Sequence, residues 1–128
     1  MFELTINGQV YQFNFGIGFV REINKKKQAK AENGSIQDVG LNYYIGTLYD
    51  ENPIALVDIL DLANKTEKPR ISRKELDAFI DDRDTDLSQV CRDILDFFDE
   101  SNATKKAAET MKEFVERQME NQNQPSEQ

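Results

Sequence analysis

Residues 52–80 constrain the fold more than any other stretch, because their first half predicts a helix that is apolar on almost every side. Asn52 is a good N-cap, and Pro53 suits the first helical position, where an N–H would have no partner within the helix. Only a narrow polar strip remains, formed by Asp58, Asp61 and Asn64. The apolar positions are Ile54, Leu56, Val57, Ile59, Leu60, Leu62 and Ala63. Such a helix is usually buried, so we expect it at the centre of the fold.

The second half of the same stretch predicts a new helix. Residues 64–70 form a short linker. Ser72 followed by Glu75 has the spacing of a capping box, in which each side chain accepts a hydrogen bond from a backbone N–H of the other residue. Ile71 and Leu76 stand at the positions of a hydrophobic staple, which fixes the direction in which the chain enters the helix. These agreeing local signals predict a second helix that starts at about residue 72.

The N-terminal segment has the sequence pattern of a β-hairpin. Asn7-Gly8 separates segments 2–6 and 9–15, in which apolar residues alternate, and Asn-Gly readily adopts the positive φ angles of a type I′ turn. A two-residue loop fixes the register, and the apolar face then carries the pairs Phe2 with Phe13, Leu4 with Tyr11 and Ile6 with Gln9. A lone hairpin is marginally stable, so we expect this face to pack on helices or the edges to pair with another chain.

Four further helices are predicted where apolar residues recur at intervals of three and four. They cover approximately residues 17–23, 39–50, 87–98 and 107–119. Residues 24–38 have the composition of a solvated helix end followed by a loop, and residues 121–128 that of a disordered polar tail. The predicted fold is α+β and mostly α-helical, with an N-terminal β-hairpin packed on a bundle of about five to six helices. Residues 1–120 form a single domain in this prediction.

Composition argues against several classes of function. The 128-residue chain has a formal net charge of −8, no histidine and one cysteine. Mechanisms with an imidazole base or ligand are therefore excluded, and such acidity disfavours binding to nucleic-acid phosphates. No apolar run approaches the ~20 residues that span a bilayer, so no membrane is expected as a partner. Cys91 lies on an apolar stripe, which predicts a buried thiol in a reducing cytoplasm. We expect no enzymatic activity, no metal and no cofactor.

Three acidic residues offer a competing metal interpretation. Asp82, Asp84 and Asp86 have the spacing of the first three ligands of a calcium loop. The pattern fails at the sixth position, where Leu87 replaces glycine, and at the twelfth, where Asp93 replaces a bidentate glutamate. Acidic residues are also favoured at the N-terminus of a helix. We therefore favour helix capping, and a calcium titration without a change in stability would exclude the metal interpretation.

An apolar stripe near the C-terminus is the main candidate for binding a partner. Its members on the last helix are Met111, Phe114, Val115 and Met119, and Phe97 on the preceding helix could join the same patch. In one interpretation the stripe completes the core, as most amphipathic helices do. In the other it is an exposed surface, where methionine and phenylalanine adapt to varied partners. The sequence leaves both interpretations open.

In content and order, residues 2–112 resemble the tail assembly chaperones of long-tailed phages and prophages of Gram-positive bacteria. The segments that carry the resemblance are FELTINGQVYQFNF, GFVREINKK, GLNYYIGTLYDENPIALVDILDLA, KPRISRKELDAFID and an acidic helix that closes in ATKK. The resemblance implies a non-enzymatic assembly factor of the bacterial host cytoplasm that is absent from the mature virion. In many such phages a programmed frameshift also produces a longer form.

The resemblance further implies the partners. The chain would bind the tape measure protein, keep it soluble and help recruit the major tail tube protein around it. Contacts are assigned to the apolar stripe, namely Phe97, Met111, Phe114, Val115 and Met119. Self-association is also expected, because a long filamentous client needs several copies. The alternative is a small cytoplasmic protein-binding adaptor or regulator unrelated to tail assembly, in which the stripe belongs to the core.

Overall fold

The computed structural model describes residues 1–123. Over this range four short strands and six helices follow one another along the chain. They are β1 (Phe2–Ile6), β2 (Gln9–Phe13), α1 (Ile17–Asn24), β3 (Gln28–Lys30), β4 (Ile36–Asp38), α2 (Gly40–Tyr49), α3 (Pro53–Asn64), α4 (Arg73–Asp81), α5 (Leu87–Glu100) and α6 (Lys105–Asn123). Two separate antiparallel pairs, β1 with β2 and β3 with β4, form the sheets. The fold is α+β and mostly helical, which confirms the predicted class.

The N-terminal hairpin forms as predicted. Asn7 and Gly8 occupy the turn with φ angles of 52° and 76°, the left-handed pair that a type I′ turn requires. The register is the expected one throughout the ladder. Phe2 and Phe13 on the inward face are buried, whereas Val10 on the other face is 45% exposed. The hairpin therefore covers the helices with one face and meets solvent with the other.

The outer edge of β2 is attached to the end of α3. The backbone N–H of Asn14 donates to the carbonyl of Ala63 over 2.8 Å, and Nδ2 of Asn64 donates to the carbonyl of Gln12 over 2.9 Å. Oδ1 of Asn64 accepts a hydrogen bond from the N–H of Ile71 over 2.8 Å. Asn64, a member of the narrow polar strip of α3, is therefore fully buried and satisfies backbone groups.

α3 lies in the core as predicted, with one exception. Asn52 caps the helix by accepting a hydrogen bond from the N–H of Ala55 over 3.1 Å, and Pro53 occupies the first turn. Leu56, Val57, Ile59, Leu60 and Ala63 are buried. Ile54 is 77% exposed, however, so its assignment to the core is wrong. Its side chain borders a surface groove between α3 and α4 and does not pack into the interior.

α4 begins with the predicted capping box. Oγ of Ser72 accepts a hydrogen bond from the N–H of Glu75 over 3.1 Å, and Oε1 of Glu75 accepts one from the N–H of Ser72 over 3.3 Å. The two staple positions, Ile71 and Leu76, are fully buried. The hydroxyl of Tyr11 donates to Oε2 of Glu75 over 3.1 Å. This contact connects the start of α4 with the N-terminal hairpin.

The segment between α1 and α2 contains a second hairpin, where the sequence predicted only a helix end and a loop. β3 and β4 pair antiparallel, and Gly34 in the connection has a φ angle of 87°. Every residue of both strands is exposed. Strands are predicted from alternating apolar and polar residues. This hairpin lacks that pattern because neither of its faces covers the core.

α5 and α6 complete the helical part. Asp86 caps α5 by accepting a hydrogen bond from the N–H of Gln89 over 3.0 Å. The hydroxyl of Thr104, just before α6, donates to the carbonyl of Phe98 over 2.9 Å. α6 then continues to Asn123, three residues into the segment predicted to be a disordered tail. The rest of that segment, residues 124–128, lies outside the described residues.

Candidate protein-binding surface

A groove between α2 and α6 brings together four of the five residues predicted to contact a partner. Met111, Phe114, Val115 and Met119 line it together with Tyr49 of α2, and its volume is about 420 Å³. We call it the α2–α6 groove. Its two walls are more than sixty residues apart in sequence, so the pattern on α6 alone gave no indication of the wall on α2.

The apolar side chains of the α2–α6 groove are only partly covered. Phe114 is 51% exposed and Met119 57% exposed, whereas Met111 and Val115 are half-buried. Earlier on the same helix, Ala108 is 2% exposed. α6 therefore belongs to the core near its start and forms a surface farther along. The stripe itself, from Met111 to Met119, lies beyond the buried start of the helix and stays partly exposed.

The α2 wall of the groove contains a glycine. Gly46 lines the groove beside Tyr49 and Asp50. A Cβ atom built at Gly46 would meet no other atom within 4 Å. A larger residue would therefore project into free space.

Negative charges lie near Tyr49 in the α2 wall of the groove. The pKa of the Tyr49 hydroxyl is raised, first by burial and then by the negative charges of Asp99, Glu116 and Asp96. These three carboxylates therefore lie close enough to influence the α2 wall. An apolar floor with acidic neighbours favours an apolar segment that carries Lys or Arg at its flanks, because such a segment matches both the hydrophobicity and the charge.

Phe97 lies elsewhere. Its ring centroid is 5.9 Å from that of Phe2 and 5.9 Å from that of Phe15. Phe19 and Phe98 extend the same aromatic cluster through contacts with Phe15. The cluster packs the N-terminal hairpin against α1 and α5. The structure therefore separates Phe97 from the other four residues of the predicted patch.

The other two candidate sites also have structural explanations. Oδ1 of Asp82 accepts a hydrogen bond from the N–H of Asp84 over 2.9 Å, and Asp86 is the cap of α5. Within residues 1–123 no group of three or more His, Cys, Asp or Glu side chains is arranged to hold a metal ion. Burial raises the pKa of the Cys91 thiol to about 11, with a smaller contribution from the charge of Glu51. This thiol is protonated at neutral pH and is a poor nucleophile.

The fold and the groove define a small α+β protein with a surface suited to binding another protein. The family model described as phage tail assembly chaperone protein, TAC, matches residues 3–113. The chain therefore belongs to the phage tail assembly chaperone family. No curated protein and no solved structure matches it significantly. In the described part of the chain, none of the helices combines the length and apolar character that crossing a membrane requires.

The family match ends near the point where α6 leaves the core. Met111 and the α2 wall of the groove lie inside the matched region, whereas Phe114, Val115 and Met119 lie beyond residue 113. Membership of the family therefore rests on the elements from β1 to the first half of α6. The outer half of the groove lies beyond the residues that the family match covers.

Proposed function

We propose that this chain binds the phage tape measure protein in the cytoplasm of the bacterial host, keeps it soluble and helps recruit the major tail tube protein around it. The role is non-enzymatic, and the chain leaves the assembly before the virion matures. Family membership supports a function in tail assembly. The α2–α6 groove supports direct binding of a protein client.

The observation that carries this proposal is the exposure of Phe114 and Met119 beside Tyr49. Exposed apolar side chains gathered in one groove are typical of surfaces that bind other proteins. When an apolar segment of the client packs there, its own apolar surface and that of the groove are both removed from water. This burial stabilises the complex by roughly 25 cal/mol per Å² of apolar area. Phe97 is left out of the proposed surface because its ring packs on Phe2 and Phe15.

The charge of the chain fits this role. With a formal net charge of −8, the chaperone gives a bound client a strongly charged coat, which disfavours aggregation of the complex. The acidic neighbours of Tyr49 select segments in which basic residues flank the apolar ones. A contact made mainly by a few partly exposed side chains also dissociates readily, so tube subunits can displace it during assembly.

The test is co-expression with the tape measure protein encoded by the same phage, followed by affinity capture and size-exclusion chromatography. The wild-type chain should make the long protein soluble and elute with it in several copies. The double variant Phe114→Ala/Met119→Ala should weaken binding about tenfold for each removed anchor, since such anchors contribute more than ~1 kcal/mol.

The matched control is Ile17→Ala/Ile54→Ala. These two residues are 63% and 77% exposed and lie outside the groove, so the control removes similar apolar surface elsewhere and should bind as wild type does. Equal losses in both variants would mean that the groove is not the client surface. An insoluble, unbound tape measure protein beside a folded wild-type chain would favour the adaptor alternative.

A further inference from the structure

β1 has an open edge. The two-residue turn makes Ile6 and Gln9 a hydrogen-bonded pair. Because hydrogen-bonded and non-hydrogen-bonded pairs alternate along an antiparallel ladder, the backbone groups of Glu3 and Thr5 point away from β2. Within residues 1–123 these outward groups have no hydrogen-bond partner in the backbone ladder or the connecting segments. By contrast, the outward carbonyl of Gln12 on β2 accepts a hydrogen bond from Asn64. Such an open edge is a template for adding another strand.

β3 has an open edge of the same kind. The N–H of Val39 donates to the carbonyl of Lys27 over 2.8 Å, so the next residues in alternation, Gln28 and Lys30, direct their backbone groups away from β4. In the part of the chain that the structure describes, these groups also lack a backbone partner. The whole hairpin is exposed, and a two-stranded sheet without further partners is marginally stable. A third strand would stabilise it.

The segment that leads into and forms β3 is basic, although the molecule is acidic. Four lysines fall within residues 25–30 of a chain with a net charge of −8. Lys25 is 3.7 Å from a glutamate of α1, and the Nζ atom of Lys27 lies 4.6 Å from the centre of a tyrosine ring. Lys26 and Lys30 form no ion pair within residues 1–123. These two lysines remain available to an acidic partner.

An acidic cleft lies at the turn end of β1. Asp82, Asp84 and Asp86 line this cleft of about 510 Å³ together with Thr5 and Asn7. In the described residues none of the three carboxylates lies within 4.0 Å of a Lys or Arg nitrogen. The open edge of β1 is therefore followed by a site of negative charge, and the chain itself carries a lysine-rich segment, residues 25–30, that ends in β3.

We propose that β3 of one copy adds antiparallel to the open edge of β1 in a second copy. The register that places Lys30 opposite Glu3 also places Gln28 opposite Thr5, so the outward backbone groups of both strands meet. It sets opposite charges directly across from one another, which stabilises strand pairs. Lys26 lies in the turn just before β3, at the end of the donor strand that meets the turn end of β1 and its acidic cleft.

β4 is a poorer donor for the same edge. Its outward backbone groups belong to Ile36 and Asp38. Asp38 would bring a further negative charge to Glu3 or to the acidic cleft. Charge complementarity therefore selects β3 and fixes its direction.

The contact is heterologous, because the donor strand and the acceptor edge are different surfaces. Each copy carries both, so association continues from copy to copy and produces either a ring or an open helical array. The contact uses neither wall of the α2–α6 groove. Self-association can therefore be tested without any client, and its failure would leave the proposed binding of the tape measure protein untouched.

The first test measures mass against protein concentration by sedimentation or light scattering. Wild type should associate, and salt should weaken the association. The donor variant Lys26→Glu/Lys30→Glu and the acceptor variant Glu3→Lys/Asp84→Lys should each be monomeric. Their mixture should associate again, because each donor strand then meets an acceptor edge of opposite charge in the other variant. The control Lys65→Glu/Lys68→Glu reverses two exposed lysines elsewhere and should associate as wild type does.

A second test fixes the register by disulfide formation between separate chains carrying Glu3→Cys and Lys30→Cys. Residues of a hydrogen-bonded antiparallel pair have Cα atoms ~5.5 Å apart, within the range of a disulfide. Oxidation should link these two chains, whereas Val10→Cys on the opposite edge should not link to Lys30→Cys. A monomeric wild type, association that persists in the donor or acceptor variant, or equal linking at positions 3 and 10 would each overturn the proposal.

Discussion

At the scale of single residues, Asn64 shows how one buried amide can join three parts of a fold. Its Nδ2 atom donates to the carbonyls of Gln12 and Pro69, and its Oδ1 atom accepts from the N–H of Ile71 and from Arg70. The side chain is 0% exposed, and all of its hydrogen-bonding capacity is used. β2, the end of α3 and the linker to α4 are thereby held together.

Replacing this amide should be costly. Asn64→Ala leaves buried backbone groups without partners and creates a cavity, so we expect the free energy of unfolding to fall by about 2–4 kcal/mol. Urea unfolding followed by circular dichroism measures the change. Asn42→Ala on the exposed face of α2 is the control and should stay within about 0.5 kcal/mol of wild type. A loss at Asn64 no larger than at Asn42 would contradict the assigned role.

The raised pKa of Cys91 predicts that the folding stability depends on pH, and it also fixes the sign of this dependence. Burial raises the pKa of this thiol from 9.0 to about 11. The unfolded chain therefore loses the proton first as the pH rises, and the stabilisation that is complete below pH 9.0 is lost towards pH 11. Through this thiol the free energy of unfolding falls by at most about 1.4 kcal/mol per pH unit. Urea unfolding across this interval should show a steeper decline for wild type than for Cys91→Ala, and parallel curves would exclude the thiol as the source.

At the scale of elements, two glycines of α2 should respond in opposite ways to the same substitution. A Cβ at Gly40 would lie 1.9 Å from the carbonyl oxygen of Ile23 and 2.8 Å from Cα of Asn24. α1 and α2 would have to separate, so Gly40→Ala should destabilise the fold by about 1–3 kcal/mol. Gly46 has no atom within 4 Å of such a Cβ, so Gly46→Ala should stabilise the helix by about 0.5–1 kcal/mol. Urea unfolding of both variants checks the signs, and equal signs would contradict this account of the α1–α2 contact.

Local chemistry also explains which elements the sequence could predict. The type I′ turn at Asn7, the Asn52 cap of α3 and the capping box at Ser72 depend on residues a few positions apart, and all three were predicted correctly. The exposure of Ile54 depends on how α3 and α4 pack, so the helical pattern assigned it to the core. The second hairpin escaped prediction because it covers no core.

At the scale of the whole molecule, the candidate site was predictable only in part. The spacing of apolar residues on α6 indicated four of the groove residues, since helical periodicity is a local property. The wall containing Tyr49 depends on the packing of α2 against α6. Phe97 packs against the hairpin because of an arrangement that involves β1, β2 and α5 together. Tertiary packing decides where a stripe stops being core and becomes surface, and the periodicity of one helix does not contain that information.

The division of α6 into a core half and a surface half yields the last prediction. Thr104 and Ala108 are 0% and 2% exposed, whereas Phe114 and Met119 are more than half exposed. A chain that ends at Lys112 keeps the buried contacts, so it should unfold cooperatively with nearly the stability of wild type but fail to elute with the tape measure protein. A chain that ends at Asn102 loses the hydrogen bond of Thr104 to Phe98 and uncovers the core beneath Ala108, so it should lose several kcal/mol of stability. Urea unfolding and co-elution together separate the two roles. If the chain ending at Lys112 binds the client as wild type does, the client surface lies elsewhere. If it unfolds as easily as the chain ending at Asn102, the outer half of α6 belongs to the core after all.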